Sequence, residues 1–284
     1  MTTATSSPCP TVQLRNGRQA PALGLGSWNL GQGRHPQQQE IDALQAGQQL
    51  GMRLIDTAEM YGNGRSEQLI SQAIDTAQPP YLVSKVLPSN ASARGIARAC
   101  EASLQRLGVR SLDLYLLHWR GGSDLTEVVH AFEALRDAGK IRDWGVSNFD
   151  VDDMEDLWAV HGGQRCLVNQ VLYHAGSRGI EFDLLPWCAE QAVTVMAYSP
   201  LGSRTLLDHA VLHAIGKRRG VAATAVALAW AIRSGKVIAI PESGTPEHVR
   251  ANAAACSLHL EAQDLEELDR TFAPPTRKQA LDLL

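Results

Sequence analysis

The sequence lacks several features that mark whole classes of protein. Its 284 residues carry 26 lysines and arginines against 30 aspartates and glutamates, a formal net charge of -4, without a basic tract. Nucleic acid and anionic membrane surfaces are therefore not expected as partners, because both bind clustered positive charge. The longest apolar run, VAATAVALAWAI (221–232), is too short to span a bilayer and predicts a buried helix. Small molecules are the expected partners.

Cysteines are few and scattered. The five are Cys9, Cys100, Cys166, Cys188 and Cys256, with no C-x-x-C pair. This odd, dispersed set predicts neither a disulfide framework nor a zinc site, and no metal is expected. Cysteines in such a pattern are typical of a protein in a reducing cytoplasm. The N-terminal MTTATSSPCP has neither a basic start nor an apolar stretch, so no signal peptide is predicted. We expect a cytoplasmic protein.

Segments rich in β-branched residues alternate with amphipathic helical segments. Eight strands are predicted, at 22–27, 53–57, 81–86, 112–118, 143–148, 167–173, 194–199 and 237–241. Such alternation builds right-handed βαβ units, and eight of them without a linker predict one (β/α)8 TIM barrel domain over residues 1–284. Residues 1–10 are expected to be a flexible tail. The pair Asn16-Gly17 predicts a two-residue turn in a β-hairpin that closes the barrel bottom.

Polar residues at the C-terminal ends of barrel strands are the candidate active site. Asp56 and Lys85 end neighbouring strands, where the aspartate would keep a desolvated lysine charged. A structural ion pair explains these two equally well. Tyr61 follows Asp56 by five residues and would lean towards Lys85, whose ammonium makes a phenol a better proton donor. His118 alone would be a core residue, but with the other three it would orient a substrate oxygen.

Apolar side chains just past the strand ends would form the walls of this pocket. They are Trp28, Leu87 and Trp119. Plain packing explains each of them as well.

The stretches GLG and GNG lack the full G-x-G-x-x-G of a Rossmann fingerprint, so that fold is not predicted.

Six motifs together resemble the aldo-keto reductases over nearly the whole chain. They are LIDTAEMYGN, LVSKV, LDLYLLHW, KIRDWGVSNF, NQVLYH and MAYSPLG. The resemblance is closest to bacterial short-loop enzymes that reduce methylglyoxal and similar aldehydes. It implies an NAD(P)H-dependent oxidoreductase that reduces aldehydes and ketones to alcohols by hydride transfer. Tyr61 would be the proton donor, Lys85 and Asp56 would lower its pKa, and His118 would orient the carbonyl.

The resemblance also implies a set of cofactor contacts. Ser147, Asn148 and Gln170 would hold the nicotinamide carboxamide, and Tyr198 would stack on the ring. The residues near the pyrophosphate and adenosine would be Ser199, Leu201, Ser203, Ser243 and Asn252.

The sequence departs from the family after the last strand. In KVIAIPESGTPEHVRAN (236–252) a strand, a turn and a helix start form a phosphate cradle. Glu242 and His248 stand where the family usually has a lysine and an arginine that grip the 2′-phosphate of NADPH. Glu242 would repel that phosphate and could accept a hydrogen bond from a ribose hydroxyl, so appreciable use of NADH is expected. Alternatively, Glu242 points into solvent and Arg204 or Arg250 supplies the charge.

Other interpretations stay open at this point. A Schiff-base aldolase would use Lys85 as nucleophile but leave Tyr61 idle. A nucleotide-binding regulatory subunit would not need the intact polar set.

Arg120 replaces the family's usual proline after LLHW and a short loop follows, so we expect an open pocket with weak substrate selection. We expect a monomer or weak oligomer.

Overall fold

Strands and helices alternate along the described chain, which the computed structural model gives as residues 9–202 and 204–284. The strands are β1 (Thr11–Gln13), β2 (Gln19–Pro21), β3 (Leu25–Gly26), β4 (Leu54–Asp56), β5 (Tyr81–Val86), β6 (Leu112–Leu117), β7 (Ile141–Ser147), β8 (Val168–Leu172), β9 (Thr194–Tyr198) and β10 (Val237–Ile240). The helices are α1 (Gln37–Gln49), α2 (Arg65–Ala73), α3 (Ala93–Leu107), α4 (Leu125–Asp137), α5 (Val151–Ala159), α6 (Leu184–Glu190), α7 (Arg204–Leu207), α8 (Ala210–Arg219), α9 (Ala223–Ile232), α10 (Pro246–Ala253) and α11 (Ala262–Thr271).

The strands β3 to β10 form one parallel sheet in chain order. The sheet closes because Gly24 N–H donates to the Ala239 carbonyl at 2.8 Å and Gly26 N–H to the Pro241 carbonyl at 2.9 Å. A side chain at Gly26 would obstruct this contact, since its Cβ would lie 2.8 Å from the carbonyl oxygen of Ile240. The predicted (β/α)8 barrel is confirmed, with a strand in each of the eight predicted segments.

The hairpin of β1 and β2 lies across the N-terminal ends of the barrel strands. Arg18 pairs with Asp113 of β6 at 2.8 Å and with Asp143 of β7. The prediction of a two-residue turn is wrong: Leu14 N–H donates to the Arg18 carbonyl at 2.8 Å, which leaves three residues in the loop. Gly17, with φ 83°, supplies the left-handed residue that such a loop needs.

Capping side chains fix where several helices begin. Ser92 accepts a hydrogen bond from Gly95 N–H at the start of α3, and Asp124 accepts one from Thr126 N–H at the start of α4. The helix α3 ends at Gly108, whose φ of 68° suits a helix C-terminus. These signals set the helix positions around the sheet, so that both faces of the barrel wall are buried.

The apolar run at 221–232 forms the buried helix that its composition predicts. In α9, Leu228 and Trp230 are completely buried. Among the described residues, the structure contains no helix that combines the length and the apolar character needed to cross a membrane.

The cysteines differ from the sequence-based expectation. Cys9 and Cys256 form a disulfide across 247 residues of chain, whereas a set without paired thiols was expected. The two cysteines carry no local spacing pattern, and only folding brings the N-terminal segment against the end of α10. Of the predicted tail at 1–10, Cys9 and Pro10 are described, and Cys9 is buried and bonded. The extent of the single domain stays a prediction.

Candidate active site

Three neighbouring strands bring the predicted polar residues together. Asp56 ends β4, Lys85 lies in β5, and His118 follows β6. The Lys85 ammonium lies 2.6 Å from Asp56 Oδ2, 3.1 Å from Tyr61 Oη and 2.9 Å from the Thr57 carbonyl oxygen. Lys85 is completely buried, and these three acceptors can satisfy all three of its N–H donors.

The position of Tyr61 depends on the turn that follows it. Its N–H donates to the Ala58 carbonyl at 3.1 Å. The next three residues, Gly62, Asn63 and Gly64, all have positive φ, at 56°, 55° and 85°. Glycine and asparagine adopt that conformation more readily than other residues do. The local sequence therefore reverses the chain after Tyr61 and keeps its side chain over the strand ends.

Burial and charge act in opposite directions on the lysine and the tyrosine. Burial by itself lowers the pKa of Lys85, but Asp56 and Tyr61 raise it above its ordinary value, so the lysine stays charged. Burial raises the pKa of Tyr61, the Lys85 ammonium opposes that rise, and Asp56 adds to it. The expected lowering of the Tyr61 pKa is thus wrong in net direction, because desolvation outweighs the ammonium.

His118 is a neutral imidazole beside this pair. Burial, together with the charge on Lys85, lowers its pKa to about 3. Its Nδ1 is buried and has no hydrogen-bond partner among the described residues. The His118 ring lies 5.8 Å from that of Tyr61 and 5.2 Å from that of Trp119, measured between centroids. At neutral pH the His118 imidazole can therefore donate one hydrogen bond and accept another without adding a positive charge to the site.

A cavity of about 530 Å³ opens above these residues. The predicted site residues that line it are Trp28, Asp56, Tyr61, His118, Trp119, Ser147, Asn148, Gln170, Tyr198, Ser199, Leu201 and Glu242. Leu87 was expected in the wall but is not part of it; its peptide N–H donates instead to Glu59, at 2.8 Å. Sequence reasoning missed Asn29, Met60 and His174 in the lining. Asn29 follows Trp28 directly, so its position just past a strand end could have identified it as a pocket residue.

A hydrogen-bonded network continues from Asp56 into the next strands. Gln170 Nε2 donates to Asp56 Oδ1 at 2.8 Å, and Ser147 Oγ donates to the Gln170 carbonyl at 2.8 Å. Tyr198 Oη donates to Asn148 Oδ1 at 3.0 Å. Asn148 has a φ of 60°, a conformation that costs free energy in a residue with a side chain and is typical of functional sites. The four residues predicted to hold a nicotinamide therefore lie together beside Tyr61.

Three further residues that were predicted to contact the cofactor, Ser243, His248 and Asn252, are not part of the cavity lining. Ser243 Oγ accepts from Thr245 N–H at 3.3 Å, and Thr245 Oγ1 accepts from His248 N–H at the start of α10. His248 is exposed, and Asn252 is buried at 3% exposure. Ser203 and the side chain of Arg204 fall outside the described part of the chain.

Glu242 does not extend freely into solvent, whereas the proposed supply of positive charge by Arg204 or Arg250 stays a prediction. Glu242 is partly buried and lines the cavity. Its Oε2 accepts from the backbone N–H of Asn29 at 2.7 Å, and its Oε1 from the Asn29 side-chain amide at 3.0 Å. The alternative cation Arg250 is exposed on α10. A carboxylate therefore occupies the turn after β10.

A polar cluster at the C-terminal ends of the strands, beneath an open cavity, defines a (β/α)8 barrel enzyme. The chain belongs to the aldo/keto reductase family, whose model matches residues 22–272. The predictions of this family and of an oxidoreductase belonging to it are confirmed.

The similarity to individual relatives covers nearly all of each chain. Methylglyoxal reductase YeaE of Escherichia coli (strain K12) is 46% identical over 279 residues, 96% of this chain and 98% of that protein. Glyoxal reductase of Bacillus subtilis (strain 168) is 32% identical and covers 91% of each chain. A solved aldo-keto reductase from Klebsiella pneumoniae in complex with NADPH has a TM-score of 0.94 and 45% identity, covering 98% of this chain and 100% of that one.

Proposed function

We propose that this enzyme reduces aldehydes and ketones to alcohols with NADPH or NADH, and that methylglyoxal and other small aldehydes are among its substrates. The observation that carries the proposal is the buried ammonium of Lys85, which contacts both Asp56 and the hydroxyl of Tyr61 beside the cavity. The 46% identity to a methylglyoxal reductase supports the substrate class. The NADPH bound to the Klebsiella pneumoniae relative supports the cofactor.

Tyr61 is the proposed general acid. Its pKa is raised, so the phenol keeps its proton at neutral pH and has it available for a carbonyl oxygen that becomes an alkoxide. The Lys85 ammonium at 3.1 Å stabilises the phenolate that forms when the proton leaves. Neutral His118 donates a hydrogen bond to the same oxygen and orients the carbonyl.

The polar residues beside Tyr61 fit a nicotinamide. Asn148 and Gln170 offer amide groups, and Tyr198 presents an aromatic ring at the cavity wall. A bound nicotinamide would supply the hydride for the carbonyl carbon. The side-chain amide of Gln170 donates to Asp56 Oδ1, which keeps this amide in position before any ligand arrives.

The substrate pocket is proposed to be open and weakly selective. Trp28 and Trp119 line the cavity and are 49% and 39% exposed, so its apolar walls face solvent. Arg120 pairs with Asp153 at 3.2 Å and Asp156 at 3.0 Å, which ties the short loop after β6 to α5. An open apolar rim discriminates poorly between small aldehydes, because a methylene group contributes little binding free energy.

The cofactor preference is proposed to be weak. Glu242 occupies the turn where a cation would hold a 2′-phosphate, and a carboxylate there disfavours a second anion. NADH should therefore support appreciable turnover. A wild-type preference for NADPH of many hundredfold in kcat/KM would contradict this part of the proposal.

The aldolase alternative is disfavoured. A nucleophilic lysine must lose its proton, whereas the Asp56 carboxylate raises the pKa of Lys85 against the effect of burial. The ammonium also has three hydrogen-bond acceptors and no exposed surface.

Tyr61→Phe tests the proposal. We expect kcat for aldehyde reduction to fall by about 10²- to 10⁴-fold, the range for loss of a general acid. The dissociation constant of the dinucleotide should stay unchanged. The matched control is Tyr115→Phe, which removes a buried hydroxyl that has no hydrogen-bond partner among the described residues. Near-normal turnover in Tyr61→Phe would refute the acid role, and dinucleotide binding without turnover in wild type would favour the regulatory subunit.

A further inference from the structure

A hydrogen-bonded pair joins the first and last strands of the barrel at the cavity. Asn29 follows β3 and Glu242 follows β10, 213 residues later. We propose that Asn29 is a positioning residue for cofactor selectivity: it fixes the Glu242 carboxylate in the cradle where a 2′-phosphate is expected. The inference rests on the proposed use of a nicotinamide dinucleotide.

The loop that carries Asn29 is anchored on both sides. Ser27 Oγ donates to the Asp56 carbonyl at 2.8 Å, next to the catalytic cluster. Gly31 N–H donates to Glu40 Oε2 at 2.8 Å, and Glu40 is only 1% exposed. A hydrogen bond to a buried carboxylate is among the stronger ones in proteins. Asn29 is therefore presented by a rigid segment.

The turn that carries Glu242 is fixed to the same loop. Its backbone forms a parallel bridge with Gly26. The ring of His35 packs so closely on Gly244 that a Cβ there would lie 2.3 Å from the ring carbon Cδ2. The turn is thus held by the bridge to Gly26, by the hydrogen bonds from Asn29 to Glu242 and by the packing of His35 on Gly244.

The two donors of Asn29 engage both oxygens of the carboxylate. The backbone N–H meets Oε2 and the side-chain amide meets Oε1, which sets both the position and the orientation of Glu242. The helix start at Thr245 would otherwise attract an anion. Because the carboxylate is held at this place, its charge cannot move out into solvent when a phosphate approaches. Selectivity between the two dinucleotides then depends on Asn29 as well as on Glu242.

A double-mutant cycle tests this dependence. The dissociation constants of NADP⁺ and NAD⁺ are measured by tryptophan fluorescence for wild type, Asn29→Ala, Glu242→Gln and the double variant. We expect Glu242→Gln to shift the ratio of the two constants about tenfold towards NADP⁺. Asn29→Ala should shift it about threefold in the same direction, because the backbone N–H bond remains. In the Glu242→Gln background, Asn29→Ala should have no further effect.

The control is Gln32→Ala on the same loop, which loses a hydrogen bond to the Trp28 carbonyl and does not touch Glu242. It should leave the ratio unchanged. The inference is overturned if Asn29→Ala weakens both dinucleotides equally, or if its shift persists in the Glu242→Gln background. If wild type binds neither dinucleotide, the proposed function fails first, which is a distinct result.

Discussion

The cluster around Lys85 and the turn after β10 are built differently. In the cluster, Lys85 contacts Asp56 and Tyr61 at once and Asp56 contacts Gln170, and Lys85, Asp56 and Gln170 are buried. In the turn, the hydrogen bonds that Glu242 makes with described residues all come from one neighbour on a partly exposed rim. A substitution of Lys85 or Asp56 removes a partner from several other residues. A substitution of Glu242 removes a hydrogen-bond acceptor from Asn29 alone among the described residues.

The difference predicts where this chain tolerates substitution. Removing one charge from a buried pair leaves the other without a partner, at a cost of several kcal/mol. Glu242 is only partly buried, so its loss or reversal is expected to cost less folding free energy. We therefore expect the buried cluster around Lys85 to tolerate fewer substitutions than the turn after β10.

The largest effect is expected from Lys85→Met, which breaks the buried network. Loss of the ammonium leaves Asp56 unpaired and Tyr61 without stabilisation of its phenolate. We expect kcat to fall at least about a hundredfold. Unfolding in urea should show a loss of about 3 to 5 kcal/mol.

Lys140→Met is the matched control for that variant. Lys140 pairs with Glu101 at 2.8 Å on the surface, so its loss should change neither turnover nor the urea midpoint noticeably. Equal effects of the two substitutions would contradict the distinction between a buried and a surface ion pair.

A smaller effect is expected from Glu242→Lys, which places a cation in the turn after β10. The ratio of kcat/KM with NADPH to that with NADH should rise at least about tenfold, because a lysine attracts the 2′-phosphate. Stability should change little. Glu247→Lys, on the exposed first turn of α10, adds the same charge beyond the cavity wall. A similar rise in both variants would show a general charge effect instead.

The smallest effect is expected from pH. The pKa of His118 is lowered to about 3, so its imidazole stays neutral at all pH values well above that. The pKa of Tyr61 is raised above the ordinary value of about 10, so the phenol stays protonated below it. The kcat/KM for an aldehyde should therefore vary less than about twofold between about pH 6 and pH 9. A tenfold change per pH unit within that window would contradict these assignments.

The sequence predicted that Asp56, Tyr61 and Lys85 lie together, and the structure places them in contact. The prediction was possible because the C-terminal ends of all strands of a parallel barrel lie at the same mouth. The same rule did not exclude Leu87, whose position past the strand end depends on the hydrogen bond from its peptide to Glu59. It also could not give the sign of the Tyr61 pKa shift, because burial is a property of the folded surroundings.

The sequence by itself determined the order of strands and helices, the barrel, and the ring of polar residues at its mouth, since periodicity and strand ends are local patterns. Only the tertiary structure decided that Asn29 meets Glu242 and that Cys9 meets Cys256, across 213 and 247 residues. Each pair depends on two loops or termini whose own sequences contain no signal for the partner. The contact exists only because the closed barrel brings its first and last segments side by side.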